Sequence, residues 1–235
     1  MSYPSTPTSK KVLISCVCML CLLFGNKAIR AQQFNYTLQH DSVSWQELTN
    51  QTLCNTVNVA WENSYTIPIG FTFSFAGQQF DSVTINTNGY LVFGRNDRYS
   101  VMAFTGFADQ VDTAGLHSVL SYSLTGTGNN KILKIQYKNV SRAYMQDFLS
   151  YQLWLYADGR VAVLTGPSQI QADTAYSMPF GLVNRLMDTP DMGLLLAGSY
   201  TQPNAQAINE QTSTLPVLNQ TPVQGHRFVF VPVNN

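Results

Sequence analysis

A chain of 235 residues in which 13 Lys and Arg balance 13 Asp and Glu has no basic surplus. It has no basic run either, which excludes the electrostatic footprint of a nucleic-acid binder. The length fits a leader plus one all-β domain, and such a domain buries about 70% of its unfolded surface without needing a metal or disulfide staple.

Lys10 and Lys11 precede an apolar run over 12–24 and then small residues up to Ala31. This order predicts a secretory signal peptide over 1–31, with an apolar core too short for a comfortable transmembrane helix. A lipobox-like Leu13-Ile14-Ser15-Cys16 is the lesser alternative, because cleavage there leaves too short an apolar stretch after Lys11. Residues 32–235 then form a single domain with nine Lys and Arg against thirteen Asp and Glu, a formal charge of −4. Cys16, Cys18 and Cys21 leave with the leader, and Cys54 remains as a lone structural thiol with no Lys, Arg or His neighbour to activate it.

From Tyr65 the pattern has period two: Tyr65, Ile67, Ile69, Phe71, Phe73 and Phe75 alternate with smaller or polar residues. Successive side chains of a strand point to opposite faces, so this is a half-buried strand, and Pro68 places it at a sheet edge or at a bulge. Next comes VTINTNGYLVFG, where Asn88-Gly89 between two β-like runs predicts a tight hairpin or bulge in preference to a polar binding cluster. The same period recurs through Leu120, Tyr122 and Leu124, through Leu133, Ile135 and Tyr137, and through Tyr151, Leu153 and Leu155. Asp158-Gly159 supplies a further hairpin turn. The signal is weaker over 178–200, 201–220 reads as a polar connection, and His226, Phe228 and Phe230 close the domain. Many short strands without a helical stripe predict an all-β antiparallel β-sandwich of jelly-roll type with little helix.

Four segments carry a family likeness: IPIGFTFSFAGQQFDSVTINTNGYLVFG, LTGTGNNKILKIQYKNV, SYQLWLYADGRVAVLTGP and GHRFVFVP. Together they resemble an exported β-sandwich module of the Bacteroidetes, of the kind found in type IX secretion substrates. The N-G-x-L-x-F-G strand from Asn88 to Gly94 is similar, more faintly, to the nidogen-type extracellular domain. The resemblance implies an extracytoplasmic module with no catalytic residues to carry over. Its expected place is the cell surface or the medium, with the periplasm as the alternative because no sorting-domain-sized segment follows Pro232.

No H-x-H, H-E-x-x-H or G-x-S-x-G is present, and His40, His117 and His226 stand apart from any ligand spacing. The glutamates show no E-x-D-x-x-E arrangement, so a secreted glycan hydrolase is the least favoured reading and no cofactor is expected. Asp109 with Asp112, and Asp188 with Asp191, are candidate calcium loops or solvated turns. Trp45, Trp61, Trp154 and Tyr156 raise a lectin reading, although both faces of the 151–156 strand are apolar, as in a central strand with a covered back. Asp-Ser/Thr-aliphatic triplets resemble the O-glycosylation sequon of Bacteroidetes exported proteins and nominate Ser42, Thr113 and Thr174, with Ser82 least accessible inside a strand. The sequence therefore predicts a non-catalytic exported module that binds a glycan or an envelope protein, with a structural subunit of the envelope as the alternative.

Overall fold

Period-two alternation becomes strand throughout the computed structural model, which describes residues 34–54, 63–94, 99–104, 118–141, 147–170, 179–184, 192–219 and 221–233. All of them lie in one compact unit, Gln33–Asn235. In chain order the strands are β1 (Tyr36–Ser42), β2 (Thr52–Leu53), β3 (Ser64–Phe75), β4 (Gln78–Asn86), β5 (Tyr90–Phe93), β6 (Tyr99–Met102), β7 (Val119–Thr125) and β8 (Ile132–Val140). There follow β9 (Phe148–Tyr156), β10 (Val161–Gln169), β11 (Gly181–Asn184), β12 (Met192–Ser199), β13 (Pro203–Asn209), β14 (Leu218–Asn219) and β15 (His226–Pro232). A single 3-10 turn, Gly128–Asn130, is the one helical element among the described residues.

The strands form two sheets, as the sandwich reading requires. Seven run in the order β1-β15-β10-β9-β8-β7-β2, and eight make the second sheet, β13-β12-β11-β6-β5-β4-β3 with β14 parallel to β12. Consecutive hairpins build the centre of each: β7 to β10 in one, β3 to β6 in the other. Between them lies one apolar core. The first sheet gives it Tyr137, Tyr151, Leu153, Phe228 and Phe230; the second gives Ile69, Phe73, Phe75, Ile85 and Phe93. Phe73, Phe75 and Phe93 stack with ring centroids 4.9–6.0 Å apart, the offset and tilted geometry that aromatic quadrupoles favour.

Pro68 meets both expectations: β3 is an edge strand, and its register against β4 shifts between Pro68 and Phe73. Within that bulge Gly70 adopts φ +83, and Lys131 Nζ donates to its carbonyl at 3.0 Å. Proline, a bulge and a lysine are standard means of blunting an edge against further strand pairing.

Asn88-Gly89 is a turn, and a buried one. Asn88 N–H donates to Asn86 Oδ1 at 2.7 Å and Gly89 N–H to the Asn86 carbonyl at 3.2 Å. Across the core Tyr137 Oη–H donates to the same carbonyl at 2.7 Å, so the other sheet fastens the hairpin in place.

Four described strands departed from expectation, among them the two-residue β2, which like β1 precedes Tyr65. The 201–220 segment contains β13 and β14 rather than an unbroken connection; β13 is an edge strand in which Ile208 alone is buried, so its composition is polar. β1 preceded the first strand expected at Tyr65, although Tyr36, Leu38 and His40 alternate in the same manner.

Candidate functional site

The outward side of the seven-stranded sheet collects the polar and aromatic residues left by the inward alternation. On β9, Tyr151, Leu153 and Leu155 point into the sandwich core, and Gln152, Trp154 and Tyr156 point away. Cross-strand register aligns Lys134, Trp154, Ala162 and Val229 in one row and Gln136, Gln152, Leu164, Arg227 and Asp41 in the next. Trp154, Tyr156, Ala162, Leu164 and Val229 make a second apolar cluster, with Val43, Trp45, Ile132 and Val231 packed around it.

Residues 43–51 lie as a strap over part of this face. Gln152 Nε2 donates to the Gln46 carbonyl and to Gln136 Oε1, both at 2.8 Å, and Gln136 Oε1 also accepts from Leu48 N–H at 3.1 Å. Trp154 Nε1 donates to Gln152 Oε1 at 2.8 Å. Ser121 Oγ reaches Gln51, and Lys138 pairs with Glu47 at 2.8 Å. Trp45 rests on Gly166, where a Cβ would stand 2.7 Å from its ring. The back of β9 is covered, the arrangement its doubly apolar pattern allows.

Beyond the strap, cations cap the aromatics. Lys134 Nζ lies 4.2 Å from the Trp154 ring centroid, the Arg227 guanidinium 5.6 Å from the same ring, and the Arg160 guanidinium 4.3 Å from Tyr156. Arg227 grips Asp41 with two parallel hydrogen bonds, Nε to Oδ1 at 2.9 Å and Nη2 to Oδ2, and Arg160 Nε holds Asp158 at 2.8 Å. The hydrogen bond from Arg227 is the main reason the Asp41 carboxyl sits below the usual range. Burial, and then the charge of Arg227, lowers the Lys134 ammonium from its ordinary value.

Of the residues singled out from sequence, Trp154 and Tyr156 therefore share one face, each 8% exposed. Asp109, Asp112, Thr113, Thr174, Asp188, Asp191, Trp61 and His117 lie outside the described residues. Ser42 is exposed at the end of β1, in a shallow depression with Val43, Ser44, Trp45, Gln224 and Gly225. Ser82 lies within β4, as expected, and is exposed as well. An intact mass above that of the bare polypeptide, from protein made in its native host, is the expected mark of modification at Ser42. Among the described residues no group of three His, Cys, Asp or Glu is placed to hold a metal ion. Burial pushes the Cys54 thiol up to about 11, so it is a protonated packing residue at neutral pH.

Sequence reasoning overlooked Lys134, Arg160 and Arg227. Alternation alone puts Lys134 outward between Leu133 and Ile135, and Arg227 outward beside Phe228, but strand order decides that they meet.

The family model described as NIDO related matches residues 35–232. The chain belongs to the NIDO related family. No curated protein and no solved structure matches it. The NIDO related match bears on the nidogen likeness and marks an extracellular type of domain. No helix among the described residues is long and apolar enough to cross a membrane.

The NIDO related domain also holds a histidine pair that the sequence keeps 186 residues apart. His40 Nε2 and His226 Nδ1 are 2.9 Å apart, and the His40 ring stacks on Phe228 at 5.1 Å. Burial first, then the His226 charge, lowers the His40 value below its ordinary 6.5, with Asp41 opposing. A base with a lowered folded value binds fewer protons folded than unfolded. Its contribution is therefore present above about 6.5 and lost as pH falls through the imidazole range. Denaturant midpoints should drop between about pH 7 and pH 5, and His40→Gln should flatten that slope; an unchanged slope would remove the pair as its cause.

Proposed function

We propose that this NIDO related chain is a non-catalytic, exported binding module that recognises a glycan through the outer face of its seven-stranded sheet. One observation carries the reading: Trp154, held by Gln152, and Tyr156 stand on a central strand, fringed by Lys134, Arg160 and Arg227. Aromatic bodies beside charged donors on a fixed scaffold suit ligand recognition. A non-catalytic role agrees with the carboxylates on this face. A general acid needs a raised pKa, whereas Asp41 is lowered and locked to Arg227, and Asp158 is held by Arg160.

An envelope protein is the other ligand class, and delivery to the cell surface of a Bacteroidetes cell or retention in the periplasm belongs to the same proposal. The assembly-subunit reading relies on an edge open to strand addition, and β3, with Pro68, its bulge and the Lys131 contact, is poorly suited to that. A glycan array probed with and without calcium is the test. Binding to a defined sugar supports the module, and calcium dependence would bring Asp109 and Asp112 into its site. Silence in both conditions overturns the glycan reading in favour of a protein partner.

A further inference from the structure

We propose that the ligand is an acidic glycan, with a sugar carboxylate seated on the Lys134 ammonium beside the Trp154 ring. This rests on the glycan reading above and narrows it to one chemical class.

The charge distribution is the first support. The domain is acidic as a whole, yet all five Lys and Arg among its described residues, Lys131, Lys134, Lys138, Arg160 and Arg227, lie on the seven-stranded sheet or its hairpin ends; the described part of the other sheet has none. Four of the five are occupied: Lys131 by the Gly70 carbonyl, Lys138 by Glu47, Arg160 by Asp158 and Arg227 by Asp41. Lys134 has no carboxylate or carbonyl partner among the described residues. It is half-buried over Trp154 and shares that ring with a second cation. Asp41 already answers the Arg227 charge, so the uncompensated one on this ring is the Lys134 ammonium, and an anion beside the indole pairs with it and replaces the water it has lost.

Burial decides against a neutral sugar. Stacking needs an open aromatic face, and at 8% exposure Trp154 and Tyr156 offer cations where a sugar ring would lie. Strand position decides against a peptide added as a strand, because β8, β9, β10 and β15 are interior strands whose ladders are already paired, leaving no edge to extend. A lipid surface calls for a polybasic cluster, and one unpaired lysine is not that.

The test titrates the purified protein with polygalacturonate, with neutral dextran, and with vesicles of phosphatidylglycerol in phosphatidylcholine, at low salt and at about 0.5 M NaCl, by calorimetry and tryptophan fluorescence. Polygalacturonate should bind and weaken with salt. Lys134→Gln should weaken it about tenfold with the thermal midpoint unchanged, and Lys134→Arg should retain most of it. Equal binding of dextran and polygalacturonate overturns the acidic assignment and leaves the glycan module standing. So does polygalacturonate binding indifferent to Lys134→Gln. Binding to vesicles alone, or to nothing, overturns the acidic assignment, and the glycan array then decides the module.

Discussion

Gly89→Ala should destabilise the domain by about 3–5 kcal/mol, or prevent folding altogether, although it adds one methyl group. Gly89 sits at φ +88, a left-handed conformation that costs a side-chain-bearing residue about 1–2 kcal/mol. The larger part is steric. A Cβ there would stand 2.6 Å from the Ala103 carbonyl oxygen, 2.7 Å from that of Phe104 and 3.0 Å from the Tyr151 hydroxyl. Two of those neighbours are backbone, and they are not free to retreat. Ala103 N–H donates to Gly89 O at 3.0 Å, and the buried Phe104 ring packs on Tyr151 at 4.9 Å. Gly128 provides the control: its φ is +54 and a Cβ there meets nothing within 4 Å, so Gly128→Ala should lose only about 1 kcal/mol of backbone preference. Urea midpoints of the two variants compare them directly. Equal losses would show that conformation, not close approach, makes this glycine necessary.

That hairpin was legible because Asn-Gly chemistry is local: the turn and its positive φ depend on residues adjacent in sequence. The strand faces were legible for the same reason, since period two places Trp154 opposite Leu153 wherever β9 lies. Strand neighbours are not local. Arg227 reaches Trp154 because β15 lies beside β10, and Arg227 meets Asp41 across 186 residues, so neither contact leaves a trace in the spacing of either segment. The strap over 43–51 was invisible for a related reason. It is not a strand, and its polar residues earn their places only by matching Gln136 and Gln152 on two different strands. His40 and His226, each isolated in the sequence, become a pair by the same route.

Gln152→Leu should have the second largest effect, about 3 kcal/mol, and should expose residues 43–51 to protease and to amide exchange. Leucine is one atom shorter than glutamine and forks a bond earlier, so a little packing is lost, but the larger part of the loss is polar. Gln152 is 1% exposed and its amide makes three hydrogen bonds: two donated, to Gln46 O and Gln136 Oε1, and one accepted from Trp154 Nε1. Its removal leaves the buried indole N–H without an acceptor, at the cost of its lost hydration, and releases the Gln46 carbonyl of the exposed strap. Leu48 N–H still donates to Gln136 Oε1, so the strap should loosen from the Gln46 end first. The consequence reaches the proposed ligand face. Trp154 seats Lys134 at 4.2 Å, and an indole freed from Gln152 can turn and carry that seat with it. Gln152→Leu should therefore weaken polygalacturonate binding without touching the ligand. Unchanged protection over 43–51 would place the hold on the strap in the packing of Trp45 against Gly166 instead.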